Sequence, residues 1–341
     1  MTTQFPPYTD AELRAAQVNH RVFGQAVEIL PPEAYLTDAY FEARRSTVSA
    51  SEIATIMGIA PPHWTSRFDL WWAKRSGVDI RTETKGMARG KRLEALVVED
   101  FADAHPEFHV EAPVGLLANK DRPWQTATPD GAVFEKTYGG PKYTLAQGLV
   151  SGLEAKTSGS RDGWGEPGTD EVPVYYRAQA LWQLDVYGVD VTFMPSWFGT
   201  DYREYVIERD DADLEIMRDA AWCFLGEIET GRQPDIDAGL ATKHRLQYLH
   251  PSVTEGEVEI PRHWVRFRNG AAKRAKAARE RQDYYENLIR NELGDLHIGT
   301  VDGRKVVSRS VFTKGETVIG EHTENRLYFS PPPKQPKDED S

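Results

Sequence analysis

The chain has a single cysteine, Cys223, in 341 residues. One thiol can form no internal disulfide, and it cannot build a thiolate zinc site or carry an iron–sulfur cluster; its isolation fits a reducing compartment. Long apolar runs are missing as well. No stretch approaches the roughly 20 residues needed to cross a bilayer, and Met1–Asp10 lacks the basic-then-apolar pattern of an export signal. The expectation is a cytoplasmic protein with no membrane partner. Basic charge is in deficit, with 41 Lys and Arg against 53 Asp and Glu and a net charge of −12. Such a balance excludes a protein that coats nucleic acid indiscriminately. It leaves room for a confined channel in which local charge decides binding.

Among the residues that are present, 40% are hydrophobic and nine are tryptophans, enough to fill a sizeable core. One large domain, or a domain with an appendage, is expected. The stretch the chain is organised around is Leu153-Glu154-Ala155-Lys156. On a strand, Glu154 and Lys156 project from one face while Leu153 and Ala155 pack on the other. Upstream, Pro129-Asp130-Gly131 is a turn with an acid at its centre. Two carboxylates can hold divalent cations against a phosphate, and a lysine beside them can steer or deprotonate an attacking water. Taken alone, the same residues read more readily as a surface strand with a solvated charge pair.

Three further stretches bear on the choice. Arg44 to Gly58 reads as two arginines ahead of a helix capped by Ser49 or Ser51, with Ile53, Ile56 and Met57 at helical spacing. Free N–H groups and guanidinium forks there both favour an anion, although an ordinary capped helix looks the same. In Met87–Phe101, Leu93, Val97, Val98 and Phe101 form an apolar stripe, and Glu94 falls inside it. A carboxylate so placed needs a metal or a cationic partner such as Arg89, Lys91 or Arg92. Tyr175 to Tyr187 reads as a helix between Pro173 and Gly188 whose Gln179, Trp182 and Gln183 share a face. The amides there either satisfy each other's surroundings or orient water or phosphate.

The remaining segments set the architecture. Residues 1–40 form an N-terminal extension in which Asp10 caps a short helix through Val22, and no chemistry is read there. Phe68–Lys74 is an aromatic helix. Phe108–Leu117, Trp124–Thr128, Ala132–Phe134 and Leu149–Lys156 read as strands, the last with a bulge near Ser151-Gly152. Tyr138–Gln147 and the Gly-rich 157–173 are loops, the second placed where a substrate flap belongs. Val191–Phe198 and Tyr202–Glu208 pair, and Asp210 caps a helix closing at Gly231. The fold class is therefore α/β (α+β): a mixed sheet flanked by helices over residues 41–232. Residues 233–330 are an appendage, with a connection to about 262, a long helix His263–Leu293 and a hairpin at Asp302-Gly303. The helix carries a basic run, Lys273, Arg274, Lys276, Arg279 and Arg281. Residues 331–341 read as a disordered tail.

Together the motifs resemble the YqaJ-like viral recombinases, the lambda-exonuclease branch of the PD-(D/E)XK nucleases, over roughly Arg44–Met217. Arg44–Glu52 resembles the family's segment ending in Ala-Ser-Glu, Gly90–Glu94 its first acidic helix, and Thr128-Pro129-Asp130-Gly131 its Ser-Pro-Asp-Gly turn. Leu153–Lys156 resembles Leu-Glu-x-Lys, and Tyr175–Gln183 the Tyr-x-x-Gln helix. Thr128 stands where serine is usual, and Ala155 where a larger apolar residue is usual. The resemblance implies a PD-(D/E)XK core that digests duplex DNA from 5′ ends and leaves 3′ strands for an annealing recombinase. It also implies a ring-shaped homo-oligomer, a trimer in preference to a tetramer. It further implies that Asp130, Glu154 and the Ala155 carbonyl hold Mg²⁺, with Mn²⁺ as substitute, and that Glu94 anchors a second ion. Lys156 then activates or positions water, Gln179 orients water or phosphate, and Arg44, Ser51 and Thr128 receive a terminal 5′-phosphate. The rival reading is an endonucleolytic relative on single-stranded or branched DNA, or an end-binding module without catalysis.

Overall fold

The computed structural model describes residues 21–80, 85–136 and 148–310. The loop expected at Tyr138–Gln147 and the tail at 331–341 lie outside these residues, as does most of the helix expected from Asp10; its proposed end, Val22, lies in a strand. The chain separates into two compact units, Met1–Leu249 and His250–Ser341.

The first unit opens with β1 (Val22–Phe23) and β2 (Ala26–Leu30), then α1 (Asp38–Arg45), β3 (Val48–Ser49), α2 (Ala50–Ile56) and α3 (Arg67–Ser76). The long α4 (Lys85–Ala104) leads into β4 (Phe108–Glu111), β5 (Leu116–Asn119), β6 (Gln125–Ala127), β7 (Gly131–Glu135), β8 (Leu149–Leu153) and β9 (Lys156–Ser158). After α5 (Val174–Tyr187) come the hairpin β10 (Val191–Phe198) and β11 (Asp201–Glu208), then α6 (Asp211–Thr230) and α7 (Leu240–Leu249). In the second unit α8 (Arg262–Leu293) precedes β12 (Ile298–Val301) and β13 (Arg304–Ser308). Asp302 and Gly303 both take positive φ between these two strands, the conformation a tight two-residue hairpin turn demands.

Two sheets result. One runs β11-β10-β8-β7-β4, with β9 also on β10. Here β10 is parallel to β8 and β9, and the other pairs are antiparallel. The other sheet runs β1-β2-β5-β6-β3, with only β3 and β6 parallel. Helix α5 contacts β5 and β6 of one sheet and β8, β10 and β11 of the other. No residue from Ala180 to Tyr187 is more than 1% exposed, as expected of a helix that is apolar nearly all round. Its ends are set by Pro173 and by Gly188 at φ 72°.

Three expectations are revised. Phe108–Leu117 is not one strand: its halves, β4 and β5, belong to different sheets. Leu149–Lys156 is interrupted at Glu154 and Ala155, where the chain leaves β7 yet still bonds β10 through Glu154 N–H and the Phe193 carbonyl at 3.0 Å. The register irregularity lies on β8 itself, one residue before the expected Ser151-Gly152: Val133 pairs with Ser151 and Phe134 with Leu149, which leaves Val150 as the extra residue. The connection after residue 232 contains α7, held to α3 by the buried Arg245–Asp69 ion pair at 2.7 Å.

Candidate active site

A cleft of about 890 Å³ opens in the first unit. Glu94, Asp130, Glu154, Lys156 and Gln179 line it, together with Arg44, Ser51 and Thr128. Residues from six places in the sequence thus share one concavity.

Asp130 sits at the turn into β7, where its N–H donates to the Leu153 carbonyl at 3.1 Å. Its carboxylate accepts the Ala155 N–H at 2.8 Å. The strand break at Glu154-Ala155 therefore frees a backbone donor that the acid turn captures. Leu153 and Ala155 face the opposite way, into a cluster with Val97, Val98, Phe101 and Val133. That packing turns Glu154 toward α5. There Oε1 accepts from Lys156 Nζ and Gln179 Nε2, and Oε2 accepts from Gln183 Nε2. Gln183 is fully buried, and its amide oxygen has no partner. The two glutamines stand one helical turn apart, so a single helix face grips both oxygens of one carboxylate. Lys156 Nζ lies 5.0 Å above the Tyr176 ring.

The electrostatics follow from crowding. Burial and the Glu154 charge push the Asp130 carboxyl well above the usual carboxylate range. Burial likewise raises Glu94 on α4, and Glu154 adds to it. For Lys156, burial alone would lower the ammonium, but Glu154 and Asp130 outweigh it and hold it above the ordinary lysine value. Two carboxyl groups strained toward protonation beside a third show a surplus of negative charge that a divalent cation would relieve. The donors are all oxygens, the chemistry Mg²⁺ or Mn²⁺ prefers. Among the described residues, no three His, Cys, Asp or Glu side chains close on a common point. An ammonium and two amides occupy the oxygens of Glu154 instead.

The cleft is also lined by Arg44, in the last turn of α1. Arg44 donates to Tyr40 Oη at 3.1 Å, to Ser51 Oγ at 3.2 Å and to Glu52 at 2.8 Å. Tyr40 Oη in turn meets Thr128 Oγ1 at 3.2 Å. Glu52 also takes Lys74 and the Ser49 N–H, each at 2.9 Å. The anion position read from the sequence at this helix start is thus occupied by the protein's own carboxylate. Burial opposes the Glu52 charge, but Arg44 and Lys74 hold its carboxyl below the usual range. Two cations share one acid, which leaves a net positive charge, and Arg44 Nε is a buried donor with no acceptor.

Gln183 and Glu52 were the two contributors least visible in the sequence. The four-residue spacing of Gln179 and Gln183 was the signal for the first. The second shows only once α3 delivers Lys74.

An acid turn, an interrupted Glu-x-Lys strand and an amide-bearing helix surround one cleft. Residues 39–190 match the model of the YqaJ-like viral recombinase domain. Among solved structures, the alkaline exonuclease LHK-Exo from Laribacter hongkongensis is similar at 22% identity, over 63% of this chain and 100% of that one, with a TM-score of 0.44. LHK-Exo in complex with dAMP gives 22%, the same coverage and 0.46. A phage-related exonuclease from Haemophilus somnus 129PT gives 12% identity, 54% and 96% coverage and 0.39. No curated protein matches the chain.

Proposed function

We propose that the chain is a divalent-cation-dependent deoxyribonuclease that digests linear duplex DNA from 5′ ends and leaves 3′ single strands for an annealing recombinase. The observation that carries this reading is the gathering of Glu94, Asp130, Glu154, Lys156 and Gln179 in one cleft with the Arg44–Ser51–Thr128 group. A viral recombinase domain agrees with DNA as substrate.

Asp130, Glu154 and the Ala155 carbonyl would hold Mg²⁺ or Mn²⁺, and Glu94 would bear on a second ion. When bound, such ions polarise the scissile phosphate and neutralise the charge that builds on it. The chain's own groups do the rest. The Lys156 ammonium, kept protonated by its acidic neighbours, steers the attacking water and offsets phosphate charge. Gln179 donates to water or a phosphate oxygen, and an incoming phosphate competes with Glu154 for both donors. Arg44, Ser51 and Thr128 receive the terminal phosphate at the positive end of the cleft, which favours 5′-phosphorylated ends. The same reading carries a ring of copies around the duplex, three in preference to four.

The test is digestion of duplexes labelled at one end or the other, with and without Mg²⁺, beside a covalently closed circle. The expected result is Mg²⁺-dependent loss of the 5′ label first, with the circle left intact. Lys156→Ala should abolish digestion while end binding survives. Cutting of the closed circle, or digestion by Lys156→Ala at the wild-type rate, would overturn the assignment.

A further inference from the structure

Helix α8 runs for 32 residues with Leu293 as its one buried side chain. Four of its exposed large apolar residues are ordered, while Val265, Tyr284 and Leu288 stand to the side of them. From the N-terminus, Trp264, Phe267, Ala271, Ala275, Ala278, Gln282, Tyr285 and Ile289 follow in steps of three and four, which keeps them on one line of the helix. Trp264 is 60% exposed, Phe267 61%, Tyr285 57% and Ile289 44%, so the large members of the line stand open to water. The line also reads nearly the same from either end. About a point between Lys276 and Ala277, Trp264 mirrors Ile289, Ala271 mirrors Gln282 and Ala275 mirrors Ala278, and Phe267 falls one residue from the mirror of Tyr285.

We propose that α8 pairs with α8 of a second copy, antiparallel, about a two-fold axis at Lys276-Ala277. A two-fold contact needs a surface complementary to itself, and the mirror order supplies one. Large residues at the ends meet large residues, and the alanines at the centre let the helices approach. Charge agrees with this direction. Under the same reflection Lys273 meets Glu280 of the second copy, Arg262 and Arg266 each fall one residue from facing Glu292 and Glu286, and Arg274 against Arg279 is the one like-charged pair. A parallel pair would instead set Lys273, Arg274 and Lys276 against themselves. The apolar surface on two such lines is on the order of 1,000 Å², the lower bound for a specific interface. A nucleic acid bound to the basic flank would leave Trp264, Phe267, Tyr285 and Ile289 in water, so the second copy is the better occupant. The pairing does not depend on the chemistry of the cleft.

The test uses the full chain carrying Cys223→Ser, since the native thiol is exposed. Ala271→Cys and Gln282→Cys are made in separate chains, then oxidised alone and mixed, and read on a denaturing gel. The expected result is a covalent dimer from the mixture and none from either chain alone, because only the antiparallel register brings position 271 beside 282. Ala275→Glu added to both chains should abolish the band. No band in the mixture, or equal bands from each chain alone, overturns the proposal, as does a band that survives Ala275→Glu. Salt-dependent DNA binding by a chain that gives no band would assign the helix to nucleic acid instead.

Discussion

Gln183 shows how much the cleft depends on one buried amide. It is fully buried and holds Glu154 Oε2, while Gln179 and Lys156 share Oε1. Gln183→Leu keeps the volume but removes the donor, leaving a buried carboxylate oxygen unpaired. A loss of roughly 1–3 kcal/mol in stability is expected, read as a lower Tm. A fall in kcat with little change in KM for DNA should accompany it, because Gln183 lies behind Glu154 and does not line the cleft. Unchanged kcat would show that Gln179 and Lys156 orient Glu154 unaided. At this scale the meeting of Glu94, Asp130, Glu154, Lys156 and Gln179 in one cleft was expected from the family resemblance, since residue type and spacing alone also fitted solvated charges and satisfied amides. Gln183 was seen only as one of two amides, since sequence does not say which carboxylate a buried amide will meet. Glu52 was hidden for a similar reason: its partner Lys74 lies on another helix.

At the scale of elements, Asp185 ties α5 to its neighbours. It accepts from Arg122 at 3.0 Å and Gln125 at 2.7 Å, from Arg209 at 3.0 Å, and from Arg218 Nε at 2.8 Å. Burial opposes its charge, but Arg218, Gln125 and Arg122 hold the carboxyl below its ordinary value. A depressed folded pKa contributes stability that is complete above the unfolded value, about 3.9. That contribution is lost as pH falls through the folded value. Asp185→Asn should therefore cost roughly 3 kcal/mol at neutral pH. The gap to wild type should close below about pH 4. Urea unfolding across a pH series reads both, and a gap constant with pH would remove Asp185 as the cause. Helix ends were legible because they rest on local chemistry. Asp210 caps α6 through the Ala212 and Asp213 N–H groups, and Gly188 and Gly231 end α5 and α6 in left-handed conformations. Helix α7 was not legible: its only buried residues are Thr242 and Arg245, so it docks by polar contacts and shows no apolar stripe.

At the scale of the molecule, every residue lining the cleft falls within the unit Met1–Leu249. A chain ending at Leu249 should therefore still digest a short duplex in Mg²⁺, while losing any association carried by α8. Loss of digestion with the fold intact by circular dichroism would assign the second unit a part in catalysis. The number of layers was legible only in part. One mixed sheet with helices was expected from the strand pattern, whereas the second sheet recruits Val22–Leu30, a stretch too short and mixed to declare itself.

That recruitment matters to anyone trimming the gene. The match to the recombinase-domain model begins at residue 39, and a boundary drawn there would remove β1 and β2, the second of which pairs with β5 from Ala26↔Asn119 to Leu30↔Leu116. Leu116, Leu117 and Ala118 are each no more than 2% exposed. Stripped of their neighbours, they would form a bare apolar rim of unbonded amides and carbonyls, onto which further chains can add. The shortened protein is expected to collect in the insoluble fraction, although it would retain every side chain assigned to the chemistry.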